Sequence, residues 1–540
     1  LSDAKNKKNA SQSPAEEVMD VSGVLTLPDL LRQQDQRQGG KEFLVFEDDS
    51  GRVATLTYRA FADRVNRFAN ALVARGIKPG ENVALMMTNS PEFLVSWLAI
   101  NQAGAVMVPV NVFYAADELR YLLKSSQSAA FVSEPKFLPL YAEVAADCPT
   151  VRVKVLAKSE KAESGFESLD ALEKSASPEH RIMRVPPEAP SQIVYTSGTT
   201  SRPKGAVISH RASVIQGIAM AMLFGMNASD RACIVLPLFH VNAQYVGAIP
   251  ALTAGATIVL LEVFSARKFW NQVRTHRATA LSIVPMLLRT MLAQPPRDDD
   301  AKHGVRLSFY ALPTTDAEWD AFEQRFGVRL IEGYGLSETL GVCSSNPATF
   351  GTTKRHCIGL PVLGREMRVV DDDGRELPAD SVGRIQVRGQ PIFSGYFNDP
   401  ESTKACMVGD GWFDTGDNGS VDADGYFHFF DRSKDVIKRA GENIAASEVE
   451  RVLDENPKIA ESAVIAVHDA LRDEAVKAFV VVKPGQTLDE DEVREWCASH
   501  LAKFKVPSFV EFRAALPRTS IGKIMKATLR AEERARQAKA

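Results

Sequence analysis

Six cysteines in 540 residues are too few and too scattered for a disulfide framework, and no two of them form a CxxC pair. Cys148, Cys233, Cys343, Cys357, Cys406 and Cys497 therefore read as small buried hydrophobes in a chain kept in a reducing, cytoplasmic setting. Nine histidines without clustered ligand spacing exclude a zinc site. Long apolar runs are missing too. The most apolar stretch, residues 247–264, is broken by Pro250, Thr253, Gly255 and Glu262, which excludes an integral membrane span and leaves weak peripheral contact open. Residues 1–22 lack the apolar core of a signal peptide; Lys5, Lys7 and Lys8 set against Asp3, Glu16, Glu17 and Asp20 read as a solvated, disordered tail. Charge excess is small, −4 overall, so there is no basic surface for nucleic acid, and any charged ligand must be met locally. Internal repeats and long low-complexity linkers are absent.

What is present suffices for a full-size core: 45% hydrophobic and 24% charged residues is an ordinary globular balance. Residues 43–47 and 53–57 around an Asp-Asp-Ser-Gly turn predict a hairpin. Phe61, Val65, Phe68 and Leu72 recur at helical spacing before a stop at Gly76, and Pro91 opens a second helix through Phe93, Trp97 and Ile100. Short apolar runs at 83–87, 106–110, 129–132, 232–236, 257–261 and 280–284 alternate with helical stretches. That alternation predicts a large α/β body with parallel sheets and crossover helices. Past residue 365, turn clusters at 371–374 and 422–425 break the chain into short runs. They lack the full ligand spacing of a calcium loop and read as hairpin turns. The last hundred residues read as a small α+β unit. Ser447 and Glu450 give a capping-box pattern, 463–467 and 478–482 are strands, and 489–501 is a helix. The expected division is a tail at 1–22, a body at 23–432 and a small C-terminal domain at 433–540, with the charged segment 431–435 between the last two.

Residues 195–205 read YTSGTTSRPKG and follow a strand end at Gln192-Ile193-Val194. Hydroxyls at Thr196, Ser197, Thr199 and Thr200, an approachable backbone at Gly198 and the point charge of Lys204 make a chemistry suited to polyphosphate. Pro203 before and Gly205 after the lysine exclude the GxxxxGK[ST] loop, and with it a P-loop ATPase. Read alone, such a loop is more often a polar surface loop, but four hydroxyls, a glycine and Pro-Lys-Gly in so short a span weigh against that. Residues 332–339, EGYGLSET, set an aromatic between glycines, a flat face with close backbone access, and a carboxylate four residues on that could hold Mg²⁺ beside phosphates. In GWFDTGD (411–417), Asp417 could accept from both ribose hydroxyls or form a common Asx turn. Residues 431–450 read as a basic linker before a capped helix. PRTSIGK (517–523) puts one lysine on a turn near the end, a place where lysines usually serve only solubility. His240, in PLFHVN, reads as a hydrogen-bonded core histidine.

The 195–205 loop resembles the phosphate-loop signature of the adenylate-forming superfamily, which includes acyl-CoA synthetases, luciferases and peptide-synthetase adenylation domains. The family's usual glycine is Ser201 here, a departure similar to the carnitine/crotonobetaine CoA ligase branch, as are FSARKFW (264–270), VPMLLRTMLAQPP (284–296) and LAKFKVPSF (501–509). The resemblance covers residues 25–530, with its stations in order. It implies an α/β fold whose large N-terminal body of layered sheets and helices carries a small mobile α+β C-terminal domain. It implies an ATP-dependent acid–CoA ligase using ATP, Mg²⁺ and coenzyme A. It assigns ATP or AMP binding to Thr196, Ser197, Gly198, Thr199, Thr200, Lys204, Glu332, Gly333, Tyr334, Ser337, Asp417, Arg432 and Lys523. Among these, Tyr334 faces adenine, Ser337 the α-phosphate and Asp417 the ribose. Glu338 holds Mg²⁺, and Lys523, with Glu338 and Thr196, is catalytic. Lys434 is the hinge, Lys438 and Gly441 lie on the CoA path, although a family glycine is replaced by Ala440, and His240 lies near the acid. The implied partners are a small carboxylic acid, ATP and CoA, with a homodimer left open. For the acid, a carnitine-type betaine, a short or medium fatty acid and an aromatic acid all stay open, with Tyr245, Trp270, Glu262 and Phe309 as candidates to meet a quaternary ammonium. A separate carrier protein as acceptor, a luciferase-like oxygenase and a non-catalytic nucleotide-binding module are the competing readings. The last would be marked by loss of Lys204, Glu338 or Lys523, and all three are present.

Overall fold

The computed structural model describes residues 26–179, 185–196, 203–311, 314–349, 351–432, 435–439, 442–469, 473–501, 503–518 and 524–537. Two large, mainly parallel sheets organise the body. One runs in the spatial order 360–361, 344–345, 329–334, 307–310, 280–283, 231–234, 257–261, 42–47, 53–57; the other runs 167–168, 153–156, 130–133, 82–86, 106–109, 190–196, 204–209. Their central pairings are parallel; antiparallel partners close three of the four edges, among them the expected hairpin of Glu42–Glu47 with Val53–Thr57, and the strand at 167–168 closes the fourth in parallel. The apolar runs are central strands because both faces are covered. Asn82–Met86, Val106–Pro109 and Thr257–Leu261 are buried at every position, without the alternation of a half-exposed strand.

Helices supply that cover. Tyr58–Ala74 starts at Thr57, whose hydroxyl accepts from the amide of Ala60, and it buries Phe61, Val65, Phe68 and Leu72. Pro91–Gln102 starts at Ser90, with proline in its first turn, and is buried on every side between the sheets. These helices join strands from both sheets in one apolar cluster centred on Trp97, Phe68 and Phe93. Each such side chain contributes roughly 1.5–3 kcal/mol by leaving water. A smaller antiparallel sheet follows, in the order 365–370, 383–389, 412–421, 407–408, with Phe427–Arg432 also paired to Trp412–Val421. The acidic turns are hairpin turns: the amide of Asp422 donates to the Tyr426 carbonyl, and its carboxylate is taken by Lys354 at 2.7 Å.

A separate C-terminal sheet carries the order 442–445, 436–439, 473–482, 459–469, with Phe509–Phe512 beside 473–482. It has its own core around Val449, Val464, Val480 and Val493. The capping box expected there does not form. The helix Ala446–Asp454 begins after Ala445, which makes no side-chain cap. Ser447 instead donates to the carbonyl of Phe430, and Glu450 accepts from the amide of Val464 at 2.6 Å. Contacts between segments outweigh the local pattern. The helix Glu490–His500 does begin with a reciprocal cap, between Asp489 and Glu492. No helix among the described residues is long and apolar enough to cross a membrane. All six cysteines are free thiols, five buried and Cys406 partly so.

Phe68 is fully buried in the main cluster. Phe68→Ala should lower unfolding free energy by about 3–5 kcal/mol in a denaturant titration; a loss under 1 kcal/mol would show that this helix face does not hold the two sheets together.

Candidate functional site

The site collects at the carboxyl ends of parallel strands, where open α/β sheets leave a crevice. Strand Arg329–Tyr334 ends in the Glu332-Gly333-Tyr334 station. Gly333 is required sterically: a Cβ there would lie 2.5 Å from the Phe309 ring and 2.8 Å from the Ser344 carbonyl oxygen. The chain then turns tightly through Ser337–Thr339, and a Cβ on Gly335 would meet the Gly341 carbonyl at 2.5 Å. Glu338 sits in this turn and is 8% exposed.

The phosphate-loop candidate joins two antiparallel strands, Pro190–Thr196 and Lys204–Ser209. Ser197, Gly198, Thr199 and Thr200 lie outside the described residues. The loop's ends are fixed. The Thr196 hydroxyl reaches the Lys204 carbonyl at 3.5 Å, and Tyr121 donates to the Pro203 carbonyl at 2.9 Å.

A segment that carried no signal in the sequence ties this hairpin to the carboxylate turn. Residues 393–397 run beside Lys204–Ser209, with Ser394 donating to Val207, Val207 to Gly395 and Phe397 to Gly205. The amide of Phe393 donates to the Glu338 carbonyl. Tyr396 stands between the two stations. Its hydroxyl donates to Glu338 Oε1 at 2.8 Å, and the Lys204 ammonium lies 5.2 Å from its ring centroid. Burial and the Glu338 charge push the Tyr396 phenol well above its ordinary range, so it stays a donor. The only available clue was an aromatic after Gly395, whose φ of +125° favours glycine.

Arg365 is the second residue that motif reading missed. Its guanidinium is buried and donates to Gln216 Oε1 at 2.7 Å and to the carbonyls of Thr339 and Pro391 at 2.8 and 2.6 Å. Burial pushes it down to about 10, which leaves it charged at neutral pH beneath the Glu338 turn.

Tyr334 and Asp417 also meet. Trp412–Val421 places Asp417 inside, 1% exposed, and the Tyr334 hydroxyl donates to its Oδ2 at 2.5 Å. The Asx-type contact is made by Asp414, whose Oδ1 accepts from the Gly416 amide, while Asp417 Oδ2 accepts from Tyr334. Burial and the neighbouring Asp417 charge push Tyr334 well above the ordinary phenol range. The backbone of Arg432 is the direct register partner of Asp417 on the adjacent strand. Lys438 occupies the strand Val436–Arg439, while Lys434, Gly441 and Lys523 lie outside the described residues. His240 differs from the hydrogen-bonded core histidine expected. It is half-buried beside Phe239, its enclosed Nε2 has no partner among the described residues, and desolvation lowers it to about 4, hence neutral.

Glu338 is a single acidic side chain with one oxygen engaged by Tyr396, and the described residues hold no cluster of three metal-ligating side chains. That donor set fits Mg²⁺, which is commonly held by one or two carboxylates together with substrate phosphates. The polyphosphate-type hairpin, the buried Tyr334–Asp417 pair and the lone carboxylate together suit a nucleotide and its metal.

Residues 31–397 match the AMP-binding enzyme family and residues 448–523 its C-terminal domain. The chain is 38% identical over 522 residues to crotonobetaine/carnitine–CoA ligase of Salmonella choleraesuis (strain SC-B67), covering 95% of this chain and 100% of that one. Its structure is similar to the anthranilate CoA ligase AuaEII in complex with anthranoyl-AMP, with TM-score 0.86 and 27% identity over 95% of this chain and 98% of that one. It is also similar to ATP-bound MatB from Rhodopseudomonas palustris, with TM-score 0.85 and 31% identity over 94% and 98%.

Glu332 gives a pH test of the site's burial. Desolvation raises its carboxyl from 4.5 to about 7. The folded-state value lies above the unfolded one, so ionisation opposes folding: stability is greatest below pH 4.5 and falls as pH rises through 7. Glu332→Gln should therefore stabilise the ligand-free protein by about 2–3 kcal/mol at pH 8 and leave it unchanged near pH 4. An equal effect at both pH values would contradict this.

Proposed function

The chain belongs to the AMP-binding enzyme family, and from that premise we propose that it joins a small carboxylic acid to coenzyme A in two half-reactions. It is an AMP-forming acyl-CoA synthetase that uses ATP, Mg²⁺ and CoA. In the first half-reaction an acid oxygen attacks the α-phosphorus of ATP and the bond to the β-phosphate bridge breaks, giving acyl-AMP and pyrophosphate. In the second, CoA thiolate attacks the acyl carbon, the bond to the AMP oxygen breaks, and the thiol proton goes to solvent.

The observation that carries this reading is the convergence of Lys204, Tyr396 and Glu338 beside the Tyr334–Asp417 pair. In the proposed division of labour, Lys204 and the hydroxyls of Thr196, Ser197, Thr199 and Thr200 hold the polyphosphate, with Gly198 letting its backbone approach. Glu332, Gly333 and Tyr334 take the adenine, Ser337 the α-phosphate, and Asp417 with Arg432 the ribose. Glu338 binds Mg²⁺, which supplies charge neutralisation on the phosphates when bound. Lys523 offsets the negative charge that shifts as pyrophosphate leaves. Domain 433–540 then turns about Lys434 to withdraw Lys523 and bring Lys438 and Gly441 to the CoA path. His240 stands by the acid. The 38%-identical relative is named for crotonobetaine and carnitine, and a betaine and a short or medium-chain acid belong to the same class of reaction, so the name alone does not choose between them. CoA is favoured over a carrier protein because both the curated relative and AuaEII are named CoA ligases. The free thiols support a cytoplasmic location.

AMP release from ATP that requires both an acid and CoA tests the reading; release with acid alone would direct the acyl group to another acceptor. Lys523→Ala should cut adenylation by at least ~10²-fold and leave thioesterification of supplied acyl-AMP largely intact. Equal loss of both half-reactions would remove Lys523 from this role.

A further inference from the structure

Beside the nucleotide station lies a small cavity lined by Phe224, Met226, Val246, Gly247, Asn242 and Ser282, with the rest of its wall from strands Arg231–Ile234 and Ala280–Ile283 and the residues next to them. Its place suits the acid's tail. Asn242 follows His240 and Val241, and Val241 abuts Gly341, which closes the Glu338 turn. Phe224 and Val246 belong to the same apolar cluster as Phe309 and Ile331, under Gly333.

The wall carries no charged side chain. Cys233, which also lines it, is pushed up to about 12 by burial and is a neutral thiol. The side chains that could have met a quaternary ammonium are engaged elsewhere. Tyr245 shares a hydrogen bond with Ser213 and packs edge-on to Trp97. Trp270 stacks between His303 and Phe326. Glu262 pairs with Lys158 at 3.0 Å and accepts from the amide of Asp49, and Phe309 lies under Gly333. A buried cation without carboxylate or aromatic cage is strongly disfavoured.

What the wall does offer is one polar pair. Ser282 donates to Asn242 Oδ1 at 2.7 Å, which fixes the amide, and Asn242 Nδ2 has no partner among the described residues. Asn242 stands at the head of a π-helical turn, Ala243–Ala248, a rare geometry that recurs at functional sites. Space is short: as it stands the cavity holds about one water. A Cβ at Gly247 would fall 2.8 Å from Ile234, so glycine there keeps the cavity open.

We infer that this pocket selects a short acid with an uncharged tail bearing one hydrogen-bond acceptor, such as a hydroxyl or carbonyl oxygen, and rejects betaines, with Asn242 as the residue that decides. The inference rests on the ligase reading above and narrows its acid.

The test is kcat/KM for CoA-dependent AMP release by the full chain with four acids of one skeleton: butyrate, 3-hydroxybutyrate, γ-butyrobetaine and carnitine, with hexanoate and octanoate as references. The expected order puts 3-hydroxybutyrate ~10-fold above butyrate, and each betaine ~100-fold below its uncharged counterpart. Asn242→Asp, equal in size, should shrink the betaine penalty at least ~10-fold, and Asn242→Leu should bring the ratio of kcat/KM for 3-hydroxybutyrate over butyrate down to about 1. Betaines used as well as butyrate, an Asn242→Asp ratio equal to the native one, or activity confined to hexanoate and octanoate would overturn the inference and leave the ligase standing. No AMP release with any acid, with nucleotide binding intact, would overturn both.

Discussion

The site depends on one contact, the Tyr396 side chain held between Lys204 and Glu338. A lysine at the foot of a hairpin and a carboxylate in a distant turn are 134 residues apart in sequence (338 − 204). Each alone would be a mobile surface charge. Residues 393–397 change that by running alongside the hairpin strand while donating to the Glu338 backbone, so that one backbone segment fixes both groups. The phenol supplies the remaining hydrogen bond to the carboxylate and an aromatic face to the ammonium. The ammonium then lies over the ring whose hydroxyl holds the carboxylate, so one side chain sets both charges beside the Tyr334 station.

Burial sharpens these charges. Asp417 is nearly inaccessible and accepts from Tyr334, Arg365 lies charged beneath the Glu338 turn, and Glu332 is desolvated enough to titrate near neutrality. Interactions in such surroundings are stronger than in water, and unfilled ones are more costly. In the proposed reading, a nucleotide bringing its own phosphates, hydroxyls and metal would complete an arrangement that the protein alone leaves partly charged. The cavity at Asn242 has the opposite character, apolar with one amide and no charged side chain in its wall.

Much of this was legible in the sequence, for identifiable reasons. The parallel strands were visible because strands covered on both faces must be apolar throughout, as Asn82–Met86 and Thr257–Leu261 nearly are. The hairpin, the glycine-flanked Tyr334 and Asp417 stood out because tight backbone approach demands particular residues at close spacing. Tyr396 and Arg365 did not stand out, since their partners come from remote segments and no local pattern marks them. The Ser447–Glu450 pattern misled for the same reason: both side chains have stronger partners across the fold, at Phe430 and Val464. Tyr245, Trp270, Glu262 and Phe309 were reasonable candidates by chemistry for a cationic ligand, but residue type does not reveal direction: Tyr245, Trp270 and Glu262 have partners elsewhere, and Phe309 packs under Gly333 without lining the cavity.

Lys204, Glu338, Tyr334 and Asp417 are proposed to serve one nucleotide. A crystal structure with Mg²⁺ and a non-hydrolysable ATP analogue tests it most directly. Adenine is expected beside Tyr334, ribose hydroxyls on the Asp417 carboxylate, phosphates at Lys204 and a metal about 2.0–2.1 Å from a Glu338 oxygen. A nucleotide bound elsewhere, or one whose ribose and phosphates avoid Asp417 and Lys204, would contradict it.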